Sequence, residues 1–435
     1  MSDWKKVKIG EICQIIKGTT GIASAEPGEY PLVVTALERK TCSSFQFDCE
    51  AVCIPLVSSS GHGKKTLNNV HYQSGKFALG TILCAVIPNN PNELDARFLH
   101  QYLQFYKDKI LVPLMKGAAN VSLSMKDITK VEIPLPSIEK QHELSELFVE
   151  AQKKYKELLE ESEKQKAYAK QLRQNILQDA IEGKLTEEWR KVNPVVKGNP
   201  DFDAEALFEK IQEEKRHTDS ELLRNSKKKE KSLPEITEDE KPFEIPEGWK
   251  WVRFGSVIDI TTNIVNSLEY KNMIQVSPED IEKNTGKLIY PLRTVKEKEI
   301  ISVNHFFSKN MLLYSKIRPR LRKIVYVDFD GLCSADMYPL KTSLNFSFIK
   351  HLMLSDYFDL EIYKFDNRVK MPKINQPQLN SIKIPISPLA EQTEIVRVVE
   401  SQLAKVDQLE KQITERETLT KQLIQSIMKD VFMEG

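Results

Sequence analysis

The chain has little that points to catalysis, to metal or to a membrane. It holds six cysteines in 435 residues, and five of them (Cys13, Cys42, Cys49, Cys53, Cys84) fall in the first ninety positions, with Cys333 apart. No two are spaced C-x-x-C, so the common zinc and redox pairs are excluded, and reduced thiols of mostly structural use are expected. No run approaches the roughly 18 apolar residues needed to cross a bilayer. The opening MSDWKKVKIGEICQ lacks the apolar stretch of a signal peptide, so a cytoplasmic chain with no membrane contact is expected.

Charge of one sign is also lacking. Lys and Arg number 63 against 62 Asp and Glu. Residues 1 to 137 carry 15 basic against 12 acidic side chains (+3), and residues 243 to 388 carry 21 against 16 (+5). Neither excess by itself establishes a nucleic-acid partner.

Catalytic signatures fail one by one. Ser58 to Thr66, SSSGHGKKT, resembles a phosphate loop, yet a Walker A pattern needs Gly where Ser58 stands and Ser or Thr where Lys65 stands. No Gly-rich methyl-donor loop accompanies an N-P-P-Y-like motif, no H-E-x-x-H occurs among the seven histidines, and no G-x-S-x-G elbow is present. Every common active site is missing.

What is present is a repeat, the pattern to seek first because missing it misassigns the architecture. W-K-K-V-K-I-G at Trp4 to Gly10 returns as W-K-W-V-R-F-G at Trp249 to Gly255, an offset of 245 (249 − 4). IPLPSIEKQHEL at Ile133 to Leu144 returns as IPISPLAEQTEI at Ile384 to Ile395, an offset of 251 (384 − 133). KQLRQNILQD at Lys170 lies against KQLIQSIMKD at Lys421 with the same 251 and six identities in ten. Each half therefore has a globular part of variable length followed by a part of fixed length.

The fixed part reads as helix. Between Glu139 and Glu182 there is no Gly or Pro. A stripe drawn every 3.5 residues passes through Leu144, Phe148, Tyr155, Leu158, Leu172 and Ile176 in the first copy and through Ile395, Val399, Val406, Leu409, Ile413, Leu423 and Ile427 in the second. About 44 residues at 1.5 Å per residue give roughly 65 Å, too long for one small domain to cover. The two helices are therefore expected to pair antiparallel as a coiled coil, with the globular parts at its two ends related by an approximate two-fold axis.

The globular parts mix strand-like runs (YPLVVTAL, AVCIPLV, GTILCAVIP, KIVYVDF) with helical ones (DARFLHQYLQFY, FSFIKHLMLSDYF), which indicates α+β domains. The expected boundaries are a first domain at 1–137, a long helix at 138–190, a charged linker at 191–242, a second domain at 243–388 and a second long helix at 389–435. Within the linker, DAEALFEKIQEEKRHTDSELLR reads as helix and NSKKKEKSLPEITEDEKP as an exposed, mobile stretch whose Lys227 to Lys231 run is solvated.

The arrangement resembles the specificity subunit of type I restriction-modification systems. The residues carrying the likeness are the IPLP and IPIS strand endings, E-K-Q and E-Q-T at the helix starts, QLRQNILQDAIEGKLTEEWR at Gln171 to Arg190, and YSKIRPRLRKIVY at Tyr314 to Tyr326. The resemblance implies a bacterial or archaeal, non-catalytic subunit with two target recognition domains, each reading one half of a split double-stranded DNA target. It implies helices that set the spacer and dock modification (methyltransferase) subunits, two in number, with restriction subunits joining them. S-adenosylmethionine, ATP and Mg would then belong to those partners and not to this chain. The competing reading is a coiled-coil scaffold whose domains bind proteins; a single-chain modification enzyme is disfavoured by the missing methyl-donor site.

Candidate DNA contacts follow from residue chemistry. Lys316, Arg318, Arg320, Arg322 and Lys323 place five cations in eight residues with no acid, and Arg offers a planar fork for guanine or phosphate. If that run is a strand, Lys316, Arg318, Arg320 and Arg322 share a face. Arg368, Lys370 and Lys373 form a second group. In the first domain the candidates are His62, Lys64 and Lys65 beside Gly61 and Gly63, then Lys116 and Asn120, where glycine permits close approach to a duplex and Asn can pair with an adenine edge.

Overall fold

The computed structural model describes residues 4–60, 63–223, 233–365 and 372–433. The chain divides into two compact units, Met1–Lys164 with Ile413–Gly435, and Gln165–Gln412. Each mixes strands and helices, and the two share the order of a closing ribbon and of one four-stranded sheet, while their second sheets differ in strand order.

In the first unit Lys5–Lys8 pairs antiparallel with Glu132–Leu135, Val7 facing Ile133. In the second, Lys250–Arg253 pairs with Lys383–Ile386, Val252 facing Ile384. This explains why the Trp-led motif and the Ile-Pro motif recur together: each domain closes by pairing its first strand with its last. The ribbon has only two strands, so Pro134 and Pro385, which cannot donate to a ladder, are tolerated there.

Two four-stranded sheets follow in each unit. In the first, Ala51–Pro55 is buried at all five positions and lies between Leu83–Pro88 and His71–Gln73, with Cys13–Lys17 at the edge. Its counterpart orders Ile258–Ile260, Met337–Thr342, Met311–Ser315 and Ile324–Val327. The expected strands YPLVVTAL, AVCIPLV, GTILCAVIP and KIVYVDF all contain observed strands. The main domain helices, Ala96–Ile110 and Phe346–Leu354, begin on Asp95 and Asn345. These side chains accept from the Phe98 amide at 2.7 Å and from the Ser347 amide at 2.9 Å, satisfying donors a helix start leaves open.

The long helices are Ile138–Ile181 and Leu389–Met433. Their first turns are fixed by a repeated side chain. Gln141 is fully buried: its carbonyl accepts from the Asp95 amide at 2.8 Å and its amide donates to the Glu93 and Pro136 carbonyls, both at 2.9 Å. Gln392, 251 residues on, is likewise buried, accepting from the Asn345 amide at 2.8 Å and donating to Ser387 O at 2.7 Å. Each Gln thus ties a long helix to the N-cap of its domain's main helix.

In the second unit Arg173 donates to Asp407 and to Glu410, and Arg190 reaches Glu391. Rising numbers on one side meet falling numbers on the other, so the paired segments run antiparallel. In the first unit Phe148 packs on Phe432 at 5.8 Å between ring centroids.

The expected apolar stripe is only partly covered. Leu144, Phe148, Ile176, Ile395, Val399, Val406 and Ile413 are buried, and Tyr155 is half-buried. Leu158, Leu172, Leu409, Leu423 and Ile427 are exposed instead. A stripe of period 3.5 drifts by about 20° per heptad on a straight helix, and one partner helix covers one narrow seam. The buried members near the helix ends also belong to the domain cores, Leu144 and Phe148 to the first and Ile176, Ile395 and Val399 to the second.

The helix expected after residue 191 is present as Ala204–Leu223, with Ala204, Leu207 and Ile211 buried in the second unit's core. Over 233–242 the stretch expected to be exposed is so, except for the half-buried Ile236 and Glu240, and it is tied to the second unit by a few contacts. Ile236 packs against that core, Pro234 O accepts from Arg253 at 2.8 Å, and Glu240 O accepts from Lys383 at 2.8 Å. Composition does not reveal these tethers, because a few anchoring contacts suffice to order a polar segment. The Lys227 to Lys231 run lies outside the described residues.

Candidate nucleic-acid interface

Both units bring a strand exit and the segment entering the last short helix together at one backbone junction. In the first, the chain leaves Ala51–Pro55 and bridges from Val57 to Ser122, while the Ser58 amide donates to Val121 O at 3.0 Å and the Leu123 amide to Leu56 O at 2.9 Å. In the second, the chain leaves Met311–Ser315 and bridges from Ile317 to Lys373, with Arg318 N to Pro372 O at 2.8 Å and Ile374 N to Lys316 O at 3.0 Å. Position for position, Leu56, Val57 and Ser58 correspond to Lys316, Ile317 and Arg318, and Val121 to Leu123 correspond to Pro372 to Ile374. The strand-exit loop and the loop before the last short helix are therefore neighbours in each unit.

In the first unit the strand-exit loop is stapled internally. Ser58 Oγ donates to Lys64 O at 2.5 Å, and Ser60 and Thr66 share a hydroxyl contact of 2.7 Å. Gly63 is left-handed (φ 73°), and a Cβ there would stand 2.3 Å from Ala118 O, so only glycine lets this loop press against the one at Lys116 to Asn120. The structure thus brings together candidates 51 or more residues apart in sequence (116 − 65): Lys64, Lys65, Lys116 and Asn120, all exposed. Lys116 Nζ stands 3.0 Å from Asp127, and that hydrogen bond holds the Asp127 carboxyl below its ordinary range. His62 lies outside the described residues.

In the second unit the basic run is not the strand that alternation required. The strand ends at Ser315, and Pro319–Leu321 forms a short 3-10 turn between Arg318 and Arg322, both left-handed (φ 45° and 47°). Pro319 removes a ladder donor and fixes φ, which breaks a strand at that point. The cations therefore do not share a face. Arg318 is exposed beside the loop pair. Lys316 Nζ lies over the Tyr338 ring at 5.1 Å. Arg320 meets Asp359 at 3.3 Å and stacks over Tyr363 at 5.0 Å. Arg322 turns inward, donating to Gln174 Oε1 and Leu354 O at 3.0 Å and pairing with Asp356 at 2.6 Å and Asp359 at 3.2 Å. Lys323 donates to Pro278 O at 2.6 Å. Arg322 and Lys323 are thus committed to the protein itself. Arg368 and Lys370 lie outside the described residues.

A cleft of about 660 Å³ opens beside Lys316, lined among others by Asp336, Tyr338, Lys373, Asn375 and Gln378. Lys373 pairs with Asp336 at 3.1 Å. Carboxylate, amide and ammonium groups around one aromatic ring can hydrogen-bond base edges. Apart from Lys373, sequence reasoning does not single these residues out, because no motif joins segments 40 residues apart.

Nothing in the described residues resembles a catalytic centre. No group of three or more His, Cys, Asp and Glu could hold a metal there, and no helix is long and apolar enough to cross a membrane. The six cysteines are unbonded and five are buried; burial pushes Cys13, Cys84 and Cys333 up to about 12, away from nucleophilic use.

The chain matches the family described as Type I restriction modification DNA specificity domain over residues 1–176 and 246–417, once per repeat. It is 32% identical over 438 residues to the EcoDI type I restriction enzyme specificity subunit of Escherichia coli, covering 99% of this chain and 88% of that one. It is 28% identical to the EcoEI specificity subunit of the same organism over 270 residues, 56% of this chain and 41% of the relative. In fold it is similar to the HsdS subunit of Thermoanaerobacter tengcongensis (TM-score 0.54, 16% identity, 99% of this chain and 97% of that one). A second structure, solved for complex assembly and conformational transition of a type I R-M system, gives TM-score 0.61 at 15% identity with the same coverage. The chain therefore belongs to the specificity-subunit family of type I restriction-modification systems, whose members are non-catalytic.

Proposed function

We propose that this chain is the DNA sequence-recognition subunit of a type I restriction-modification complex, each repeated domain reading one half of a bipartite target. The observation that carries this reading is the repeated loop pair. The same backbone junction holds both pairs, yet their sequences differ: SSSGHGKKT with KGAAN in the first half, KIRPRLRK with the segment ending at Lys373 in the second. A constant frame carrying two dissimilar polar, basic loops is what reading two different half-sites requires. Lys64, Lys65, Lys116, Asn120, Lys316 and Arg318 are the proposed contacts, with Arg320 at the margin.

The long helices set the spacer, and their exposed Leu158, Leu172, Leu409 and Leu423 offer apolar surface to modification subunits, two of which the repeat can seat. Those partners, with restriction subunits, bring S-adenosylmethionine, ATP and Mg, and the assembly works in the cytoplasm of a bacterium or archaeon. The scaffold alternative is disfavoured because the loops it would use are polar and basic, not apolar anchors.

The test replaces Lys64, Lys65 and Arg318 by Ala in the complex with its methyltransferase chain. Affinity for target duplex falls, and the slope of log affinity against log salt becomes shallower by about 0.9 for each phosphate that the variant no longer neutralises. Unchanged affinity and slope refute the assignment.

A further inference from the structure

The two repeats build the same turn after their first strand, and only one of them covers it. In the first unit the turn is Ile9–Ile12, whose first amide donates to Val131 O at 2.9 Å. In the second it is Phe254–Val257, whose first amide donates to Ile382 O at 2.7 Å. Both partners keep the repeat offsets, 245 (254 − 9) and 251 (382 − 131).

In the second unit the helix Ala204–Leu223 lies over that turn. Ala204, Leu207 and Ile211, at i, i+3 and i+7, form its buried stripe. The Ala204 amide donates to Gly248 O at 2.9 Å, Gln212 Nε2 to Ser256 O at 2.7 Å and Lys215 Nζ to Gly255 O at 3.0 Å. Glu205 pairs with Lys250 at 2.7 Å, and Lys215 with Asp259 at 2.6 Å. Beneath this cover Val257 is 1% exposed and Trp249 8%.

The first unit has no such cover among the described residues. Gly10 and Glu11, counterparts of Gly255 and Ser256, are exposed, and Ile12 and Trp4 are only half-buried where Val257 and Trp249 are buried. Lys5 stands where Lys250 does (250 − 245), is exposed, and makes no ion pair among the described residues. Lys6 and Lys8 are exposed on the same strand. Of the acids beside them, Glu132 faces Lys8 across the ribbon, and the Glu11 carboxylate turns back to the Lys8 amide at 3.3 Å.

We infer that the Trp4–Ile12 face of the first unit docks an acidic amphipathic helix of a partner subunit, seated as Ala204–Leu223 is seated on the second unit. Charge sets the chemistry of the occupant. Lys5 calls for a carboxylate where Glu205 stands, and Gln14 in place of Asp259 removes the need for a cation where Lys215 stands. The half-buried Trp4 and Ile12 call for apolar residues at i and i+3 of that helix, which a phosphate backbone does not offer. A second copy of this chain is a poor source, because its own helix of this kind is already buried on its second unit. The face occurs once per chain, so it seats one partner helix, in contrast to the two seats proposed on the long helices. The inference rests on membership of a multisubunit complex and not on which bases are read.

The probe is a fluorescein-labelled peptide of residues 203–217, DAEALFEKIQEEKRH, stapled to hold its helix and titrated into the full-length chain by anisotropy. Wild type is expected to bind it, and Lys5→Glu to bind about tenfold more weakly, since like charges then face each other. The peptide carrying Glu205→Lys restores binding to Lys5→Glu. Ile12→Ser also weakens binding; Lys5→Glu, at an exposed position, keeps the test sound should Ile12→Ser fold poorly. In parallel, hydrogen exchange over residues 4–16 is compared between the chain alone and its complex with modification and restriction subunits without DNA, and is expected to slow at least about threefold on assembly. Both results are required. No peptide binding, or binding indifferent to Lys5, which reports exchange onto the second unit, overturns the inference. Exchange that slows only when duplex is added assigns the face to DNA and overturns it as well, as does exchange unchanged on assembly.

Discussion

Replacing Gln392 by Leu tests whether the repeated glutamine holds a long helix to its domain. Leu keeps the volume and removes both polar contacts. The half-buried Asn345 amide is then left without its acceptor and the buried Ser387 carbonyl without its donor. Stranding a buried or part-buried polar group costs about 1–3 kcal/mol, so the pair amounts to about 2–6 kcal/mol. At a urea slope of about 2–3 kcal/mol per molar, the midpoint falls by roughly 1–2 M. Tryptophan fluorescence is a suitable assay, because Trp189, Trp249 and Trp251 belong to the second unit and only Trp4 to the first. The transition it reports is therefore mainly the second unit's. A midpoint shift below about 0.2 M refutes the clamp, since a solvated glutamine is replaced at almost no cost.

Phe432→Ala empties a site ringed by Phe98, Tyr102, Phe105, Tyr106 and Phe148 at 5.5–6.1 Å. The expected loss is about 3–5 kcal/mol in the first unit, and a loss under about 1 kcal/mol by urea denaturation contradicts the packing. Glu391 is buried and accepts from Trp249 Nε1 at 2.7 Å, Thr186 Oγ1 at 2.6 Å and Arg190 at 2.5 Å. Glu391→Ala leaves Arg190 without its carboxylate and costs about 3–5 kcal/mol, with the Trp249 emission shifting to the red. His71 is buried beside Arg39, whose guanidinium stands 3.2 Å from Nδ1; burial first, then that cation, lowers its pKa to about 4. A group with a depressed folded pKa stabilises above its unfolded value of about 6.5 and surrenders that contribution as pH falls toward about 4, so His71→Gln flattens the pH dependence of stability between about 6.5 and 4. An identical slope in wild type and variant removes His71 from the account.

Much of the architecture is legible in the sequence because it is written in periodicity and repetition. The Trp-led and Ile-Pro motifs, each pair recurring, are the two partners of one strand ribbon, and the absence of Gly and Pro between Glu139 and Glu182 contains the observed helix to within a residue. Gln141 and Gln392 are visible only as a repeated letter. Their partners are backbone amides 46 and 47 residues away (141 − 95, 392 − 345), and a backbone amide leaves no mark on sequence. The basic run misleads for a related reason. A count of cations does not show that Asp356, Asp359 and Gln174 fold back to meet Arg322. The correspondence of the loop pairs is hidden by register: the offset is 260 at the strand exit (318 − 58) and 251 at the second loop (373 − 122), so no fixed alignment shows both.

The most direct test is the map of methylated adenines in the genome of cells that carry this chain with its methyltransferase partner, compared with cells lacking this chain alone. The account predicts methylation at two short defined segments separated by a constant run of unread bases, all of it abolished when the chain is absent. Methylation at a single contiguous site, or methylation that persists unchanged without the chain, contradicts it.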